Sequence, residues 1–214
     1  MSFKFLRLVS LLIFLGLSIL VKAQDNIATE RPTQSIGSLV LPTNSFQFEQ
    51  GFTYAQDTLV LDGFFRFGVS KIAELRVFTY YDSPLVTIGA KVNVLEDKDY
   101  RPGIALKADL TGGIITDYRI VIMQKLSDSF SATVNVGQAN QFYGVLAIGY
   151  SFADKFAAYI EGYFEQDYGQ FNAGLTYGID SETQVDINAG LYDFKDFYVT
   201  AGFARRIKWK NKEE

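Results

Sequence analysis

The chain has 214 residues, no cysteine, no histidine and a formal net charge of −4 at pH 7, with 19 Phe and 13 Tyr. This length suits one domain with a large sheet. Without Cys and His the chain cannot form disulfides, zinc–thiolate sites, thiolate nucleophiles or His-dependent triads, and its acidic balance gives no electrostatic basis for binding nucleic acid.

The first segment, Met1–Ala23, has the pattern of a cleaved signal peptide. Lys4 and Arg7 make its start positive, and Leu8–Val21 is an uncharged, mostly apolar run. That run is shorter than the about 20 residues of a membrane-spanning helix. The alternative is a retained N-terminal anchor helix. Cleavage would remove only basic charges, so the mature protein would be more acidic than the whole chain.

The next segment, Gln24–Asn44, shows no sustained hydrophobic period and carries several turn-forming residues. It is predicted to be an extended N-terminal arm in front of the first strand. Its two prolines favour extended backbone.

From Ser45 to Trp209 apolar and polar residues alternate, which is the period of a strand with two unlike faces. In Phe197–Trp209 one parity is apolar except for a single Arg, and the other is mostly polar. We count roughly twelve such runs, each near the about 9–11 residues with which a tilted strand crosses a bilayer. They lie at Phe46–Tyr54, Leu59–Val69, Glu74–Tyr81, Val86–Val94, Gly103–Leu110, Tyr118–Leu126, Phe130–Val136, Phe142–Phe152, Phe156–Gln166, Gln170–Ile179, Thr183–Leu191 and Phe197–Trp209.

Three features favour a barrel in a membrane over a soluble secreted barrel that binds a small lipophile. Glycine recurs on the polar face, aromatic residues gather at the ends of the apolar face, and roughly twelve strands exceed the about eight that already enclose a ligand. The fold class predicted is therefore all-β, a transmembrane antiparallel up-and-down barrel over residues 45–209 with a charged tail at 210–214.

An even number of strands places both termini in the periplasm, and the turns after odd-numbered strands then face the exterior. Those turns are short, so no long receptor loops are expected. The expected partners are outer-membrane lipid, the barrel-assembly machinery and a small-molecule solute.

Enzymatic activity is not expected, and neither is a cofactor or a metal. The charged turn Glu96–Asp99 lacks the pattern of a calcium loop. An enzyme would have to use carboxylates alone, for instance Asp62 with Asp186.

The polar face carries charges of both signs, which excludes a filter of one sign. Two interpretations stay open: a lumen filled with paired charges, or a permeation path for a small solute. The candidates are Glu49, Asp62, Arg66, Glu74, Arg76, Lys91, Lys107, Asp109, Arg119, Tyr159, Glu161, Asp186 and Arg206.

Arg31 is the residue expected to hold the arm across the periplasmic mouth as a plug. The planar guanidinium fork suits carboxylates, and Glu49 and Asp186 are its expected partners. The alternative is a loose periplasmic tail.

Three groups of residues together resemble the outer-membrane transporter family of the MetA pathway of phenol degradation. They are Thr29–Ser35 with Leu41–Pro42 and Ser45–Phe52, then Ile88–Lys91 with Pro102–Leu106 and Leu110–Gly112, and finally Gly174–Tyr177 with Gln184–Ile187, Gly190 and Ala201–Phe203.

The resemblance covers essentially the mature chain, and it implies transport of small, hydrophobic or aromatic compounds. Two departures are a missing Pro before Thr111 and a charged tail after Trp209, where such barrels end on an aromatic residue. The other function that stays open is a structural or anchoring barrel with a charge-filled lumen.

Overall fold

The computed structural model describes residues 27–31, 33–98 and 101–209. The signal-peptide and C-terminal-tail predictions, and residues 24–26 of the arm, lie outside these residues. Twelve strands follow one another: β1 (Ser45–Ala55), β2 (Thr58–Gly68), β3 (Ala73–Tyr80), β4 (Val86–Leu95), β5 (Gly103–Thr111), β6 (Ile114–Lys125), β7 (Phe130–Gln138), β8 (Phe142–Ala153), β9 (Phe156–Phe164), β10 (Gly169–Asp180), β11 (Thr183–Tyr192) and β12 (Asp196–Lys208). Within the described ranges, no helix is long and apolar enough to cross a membrane.

Every strand pairs antiparallel with its neighbours in the chain, and β1 pairs with β12 to close the barrel. The predicted fold class and strand number are confirmed. One predicted boundary is wrong, because β6 begins at Ile114 rather than near Tyr118. The pairing of β5 with β6 shifts register between Asp109 and Leu110. This irregularity interrupts the alternation at the start of β6, so the sequence pattern did not reveal the first residues of that strand.

The outer surface of the barrel is apolar and the lumen is charged. Leu61, Ile88 and Leu175 point outwards and stay about half exposed, whereas Lys91 and Glu49 point inwards and are almost fully buried. Exposed apolar surface on this scale would cost about 25 cal/mol per Å² in water. The arrangement is the reverse of a soluble ligand-binding barrel and is that of a transmembrane barrel.

Aromatic rings meet on the outside of the barrel at one end. Phe152 and Phe156 lie with ring centroids 5.9 Å apart, and Phe156 and Tyr177 lie 4.7 Å apart. Such rings are typical of the interfacial belt of a membrane barrel.

We call the end of the barrel at Ser45 and Lys208 the near mouth and the opposite end the far mouth. At the far mouth the β1–β2 turn places Gln56 and Asp57 at φ values of 47° and 60°, and the β5–β6 turn consists of Gly112 and Gly113 at 61° and 83°. Two positive φ values in succession suit a two-residue hairpin. The far mouth is therefore edged by tight turns at these hairpins.

Residues 27–31 and 33–44 lie in a loop that contacts the lumenal face of the barrel wall, and we call these residues the arm. Thr29 accepts a hydrogen bond from Gln184 of β11, and Asn44 donates its backbone N–H to Gly68 at the end of β2. Gln184 and Gly68 both lie toward the near mouth, so the arm enters and leaves the lumen on the same side.

Candidate functional site: the lumen and its arm

Wall carboxylates hold the backbone of the arm. Glu49 accepts the N–H groups of Glu30–Arg31, both at 3.0 Å. Glu161 accepts the N–H groups of Gln34–Ser35 at 2.8 and 2.7 Å. Hydrogen bonds to a charged group contribute about 1.5–3 kcal/mol each. Two sequence-predicted lumen residues therefore bind the backbone of the arm.

Two further contacts fix the middle and the end of the arm. Asn135 exchanges two hydrogen bonds with the backbone of Ile36, at 2.8 and 3.1 Å. Glu74 accepts the backbone N–H of Leu41 at 2.8 Å. Asn135 is not among the predicted lumen residues, because an uncharged amide on the polar face of a strand carries no signal of its own.

The side chain of Ile36 supplies an apolar anchor. It is buried against Ala105 of β5 and Val121 of β6, both fully shielded from solvent. Apolar lumenal side chains are unexpected in a water-filled channel, and their presence here matches the apolar side chain that the arm brings.

Glu30 is the arm residue at the centre of a buried ion cluster. Its carboxylate lies 2.5 Å from Arg76 Nη1 and 3.4 Å from Arg66 Nη2, and it also contacts Lys91 Nζ. Burial by itself would raise the pKa of Glu30, but the charges of Arg66, Arg76 and Lys91 outweigh burial and hold that pKa well below its usual range. Glu30 is therefore ionised at neutral pH and neutralises wall cations.

Two wall carboxylates complete this cluster. Glu74 pairs with Arg66 at 2.9 Å, with Arg76 at 3.0 Å and with Lys91 at 3.4 Å, and Glu49 pairs with Arg66 at 3.3 Å. Three carboxylates thus face three cations, each of them nearly excluded from solvent. A buried cluster of this kind is tolerable only while every charge keeps its partner.

Arg31 pairs with a different carboxylate from those expected. Its Nε lies 2.7 Å from Asp62 Oδ1, and its Nη1 donates to the backbone carbonyl of Gln50 at 3.2 Å. The predicted pairing with Glu49 and Asp186 is wrong. Glu49 is already engaged by the arm backbone and Arg66, and no ion pair joins Arg31 to Asp186 within the described ranges.

A second charged group lies beside this cluster on β5 and β6, where Lys107 is the cross-strand neighbour of Lys91. Lys107 lies 2.5 Å from both Asp109 and Asp117, and Arg119 lies 3.5 Å from Asp117. Arg119 also donates to the backbone carbonyl of Gln34 at 2.6 Å, which ties this group to the arm. Asp117 is absent from the predicted lumen residues because the register shift at Asp109 left it outside the predicted strand.

The remaining candidates have separate surroundings. Tyr159 accepts a hydrogen bond from Asn188 at 2.6 Å. Arg206 lies 2.5 Å from Glu182, in the β10–β11 turn at the near mouth, and so belongs to the rim. Asp186 is buried, and its Oδ1 has no hydrogen-bond partner within the described ranges.

Between the arm and the far mouth lies a cavity of about 690 Å³, which we call the vestibule. Arm residues form its floor, and Lys107 and Arg119 lie on one wall. The opposite wall is aromatic, and the rings of Tyr192 and Tyr198 stack there at 4.1 Å. The aromatic residues that line it are Phe64, Phe78, Tyr80, Tyr192 and Tyr198.

The carboxylates suggested for an enzyme are not paired as an acid and a base. Asp62 is engaged by Arg31, and no group of three or more potential metal ligands among His, Cys, Asp and Glu occurs within the described part of the chain. Asp62 and Asp186 are nevertheless both close to Arg31 of the arm.

No protein-family model and no curated protein matches this chain. Solved structures do match. A KdgM porin aligns with a TM-score of 0.62 at 10% identity over 74% of this chain and 98% of its own. The structure titled KdgM porin in complex with disordered oligogalacturonate aligns with a TM-score of 0.59 at 10% identity over 75% and 98%. A NanC porin gives 0.56 at 8% identity over 76% and 100%.

At these identities the likeness shows a shared fold alone, that of outer-membrane porins. The resemblance to the MetA-pathway transporter family is not confirmed, since no family model matches.

Proposed function

We propose that the protein is an outer-membrane channel for small polar solutes and that the arm closes its lumen from the periplasmic side. The observation that carries this proposal is the ion cluster in which Glu30 of the arm meets Arg66, Arg76 and Lys91 of the wall. A porin-type barrel of this size has room for a permeation path through its lumen. In this protein the arm fills the half of the lumen next to the near mouth.

The proposal includes a cleaved signal peptide, insertion by the barrel-assembly machinery and periplasmic termini. The arm begins and ends at the near mouth, which agrees with a plug supplied from the periplasm. The function proposed is not enzymatic, in keeping with the channel fold of the porins that match.

The chemistry of the lumen favours a polar solute over the hydrophobic one that the sequence resemblance implied. Charged side chains from β1 to β6 line the lumen beside the arm, and a hydrophobic solute that passed them would have to separate them from their partners at a cost in free energy. One of the matching porins binds oligogalacturonate, which is acidic, whereas the lumen of this chain carries charges of both signs, and this favours a solute that is not purely anionic.

The experiment is planar-bilayer recording with the purified protein, after fractionation has located it in the outer membrane. The whole protein should be nearly closed, and Arg31→Ala should conduct more because the arm loses its ion pair with Asp62. Asp180→Asn, which removes an exposed pair with Arg205, is the matched control and should behave as wild type.

The second candidate is a structural barrel, which the complete pairing of the Glu30 cluster favours. Silence of the wild type and of every arm variant, across a panel of ions and small solutes, would establish this second candidate and exclude the channel.

A further inference from the structure

Two aspartates and two glycines lie in one row across four neighbouring strands. Asp62 of β2 is opposite Gly51 of β1, Gly51 is opposite Gly202 of β12, and Gly202 is opposite Asp186 of β11. The strands therefore present a strip of bare backbone with a carboxylate at each end. We call this row the cradle.

The cradle holds a guanidinium group. A Cβ at Gly51 would overlap the guanidinium of Arg31, and a Cβ at Gly202 would lie 2.5 Å from its Nη1 and 2.9 Å from both carboxylate oxygens of Asp186. Only glycine at both positions leaves room for this planar cation. The Asp186 carboxylate leans over Gly202, toward the group that occupies the cradle.

The cradle and its surroundings offer more hydrogen-bond acceptors than Arg31 uses. Arg31 pairs with Asp62, while Asp186 is only 7% exposed and keeps an oxygen without a hydrogen-bond partner within the described ranges. Asn188 and Thr200, next to Asp186 on the lumenal face, each carry a buried side-chain oxygen in the same condition. A guanidinium offers five N–H donors and no acceptor, so it is complementary to such a surface.

The vestibule leads to the cradle from the far mouth. Asp62, Thr200 and Arg31 itself line this cavity. Tyr80 lies opposite Asp62 across β2 and β3, and the other aromatic residues of the vestibule belong to the same wall. Aromatic faces attract organic cations, which adds a second recognition element beside the carboxylates.

We propose that the cradle is the solute site of the channel, that it takes the guanidinium group of a small solute, and that Arg31 is a built-in stand-in for that solute. The proposal rests on the channel function proposed above and names its substrate class. A solute that occupies the cradle displaces Arg31, so binding favours the state in which the arm is released.

The test is calorimetric titration of the full-length protein in detergent with L-arginine, and with L-citrulline as the neutral analogue of equal length. Arg31→Ala removes the internal competitor and should bind arginine at least about tenfold tighter than wild type. Adding Asp186→Asn to that variant should weaken arginine binding about tenfold, because a buried charged partner is lost. Citrulline should not bind measurably to any of them.

Retention of heat-shifted mobility on a gel shows that each variant is folded. If Arg31→Ala does not fold, Asp186→Asn alone serves, and it should weaken arginine binding relative to wild type. Equal affinities for arginine and citrulline, or an affinity that Asp186→Asn leaves unchanged, would overturn the proposal.

The titration needs no current, so it is independent of the channel test. Conduction without preference for arginine would refute the cradle and leave the channel standing. Arginine binding in a barrel that never conducts would support the cradle and refute the channel.

Discussion

The carboxylate of Glu30 on the arm lies 2.5 Å from Nη1 of Arg76 on β3. This one contact joins a segment outside the sheet to the centre of the barrel wall. The cations around it depend on an arm residue for part of their neutralisation, because Glu49 and Glu74 supply only two carboxylates for Arg66, Arg76 and Lys91. Loss of the arm from the lumen therefore leaves wall cations that must be solvated, which couples arm release to entry of water.

Glu30→Gln should open the channel. The substitution removes the negative charge that Arg76 and Lys91 face while keeping the size of the side chain, so the docked arm loses charge-assisted hydrogen bonds of about 1.5–3 kcal/mol each. Single-channel recording should show more frequent and longer openings than in wild type. Asp180→Asn is the control, and open times equal in Glu30→Gln and wild type would contradict the role given to this cluster.

Ile36→Ala should loosen the arm without altering any charge. Removing a buried Ile side chain costs about 2–5 kcal/mol, and here that loss falls on the contact with Ala105 and Val121. Hydrogen exchange of the arm backbone should become faster while the strands keep their protection. Leu39→Ala is the matched control, since Leu39 is 50% exposed. Unchanged exchange in Ile36→Ala would mean that the apolar contact does not hold the arm.

Gly51→Ala should expel the Arg31 side chain from the lumen wall, because the added methyl group overlaps the guanidinium. The expected result is higher conductance with a barrel that still shifts on a heated gel. Gly144→Ala is the control, since a Cβ there would meet its nearest atom, the Asn135 carbonyl oxygen, only at 4.0 Å. Wild-type conductance in Gly51→Ala would show that Arg31 can leave the wall while the lumen stays closed.

Acid should release the arm. The pKa of Glu30 in the docked arm lies below its ordinary value of 4.5, so docking is stabilised fully above that value and loses this stabilisation as the pH falls toward the docked-state pKa. Conductance should rise when the pH is lowered below about 4.5, and the rise should be smaller in Glu30→Gln, which has no carboxyl group to protonate. The same acid response in both proteins would assign the effect to other carboxylates.

The alternation of residues was enough to predict the barrel. Period-2 patterning places Phe48 and Glu49 on opposite faces of β1 by local backbone geometry alone, whatever the rest of the chain does. The count of strands follows in the same way, whereas the inward direction of the charged face was predicted from the glycines on the polar face, the aromatic residues at the ends of the apolar face and the number of strands. The pattern was insufficient where the backbone breaks its own period, as at Asp109, and Asp117 was lost from the predicted lumen for that reason.

Which lumenal groups meet was decided only by closure of the barrel. Asp62 and Asp186 are far apart in the chain, and both come to flank Arg31 because β1 and β12 pair with Gly51 opposite Gly202. The sequence pattern places Glu49, Asp62 and Asp186 on the same face and gives no reason to prefer one of them as the partner of Arg31. Inter-strand register and the path of an arm without periodicity set that choice, since both are properties of packing rather than of any local run of residues.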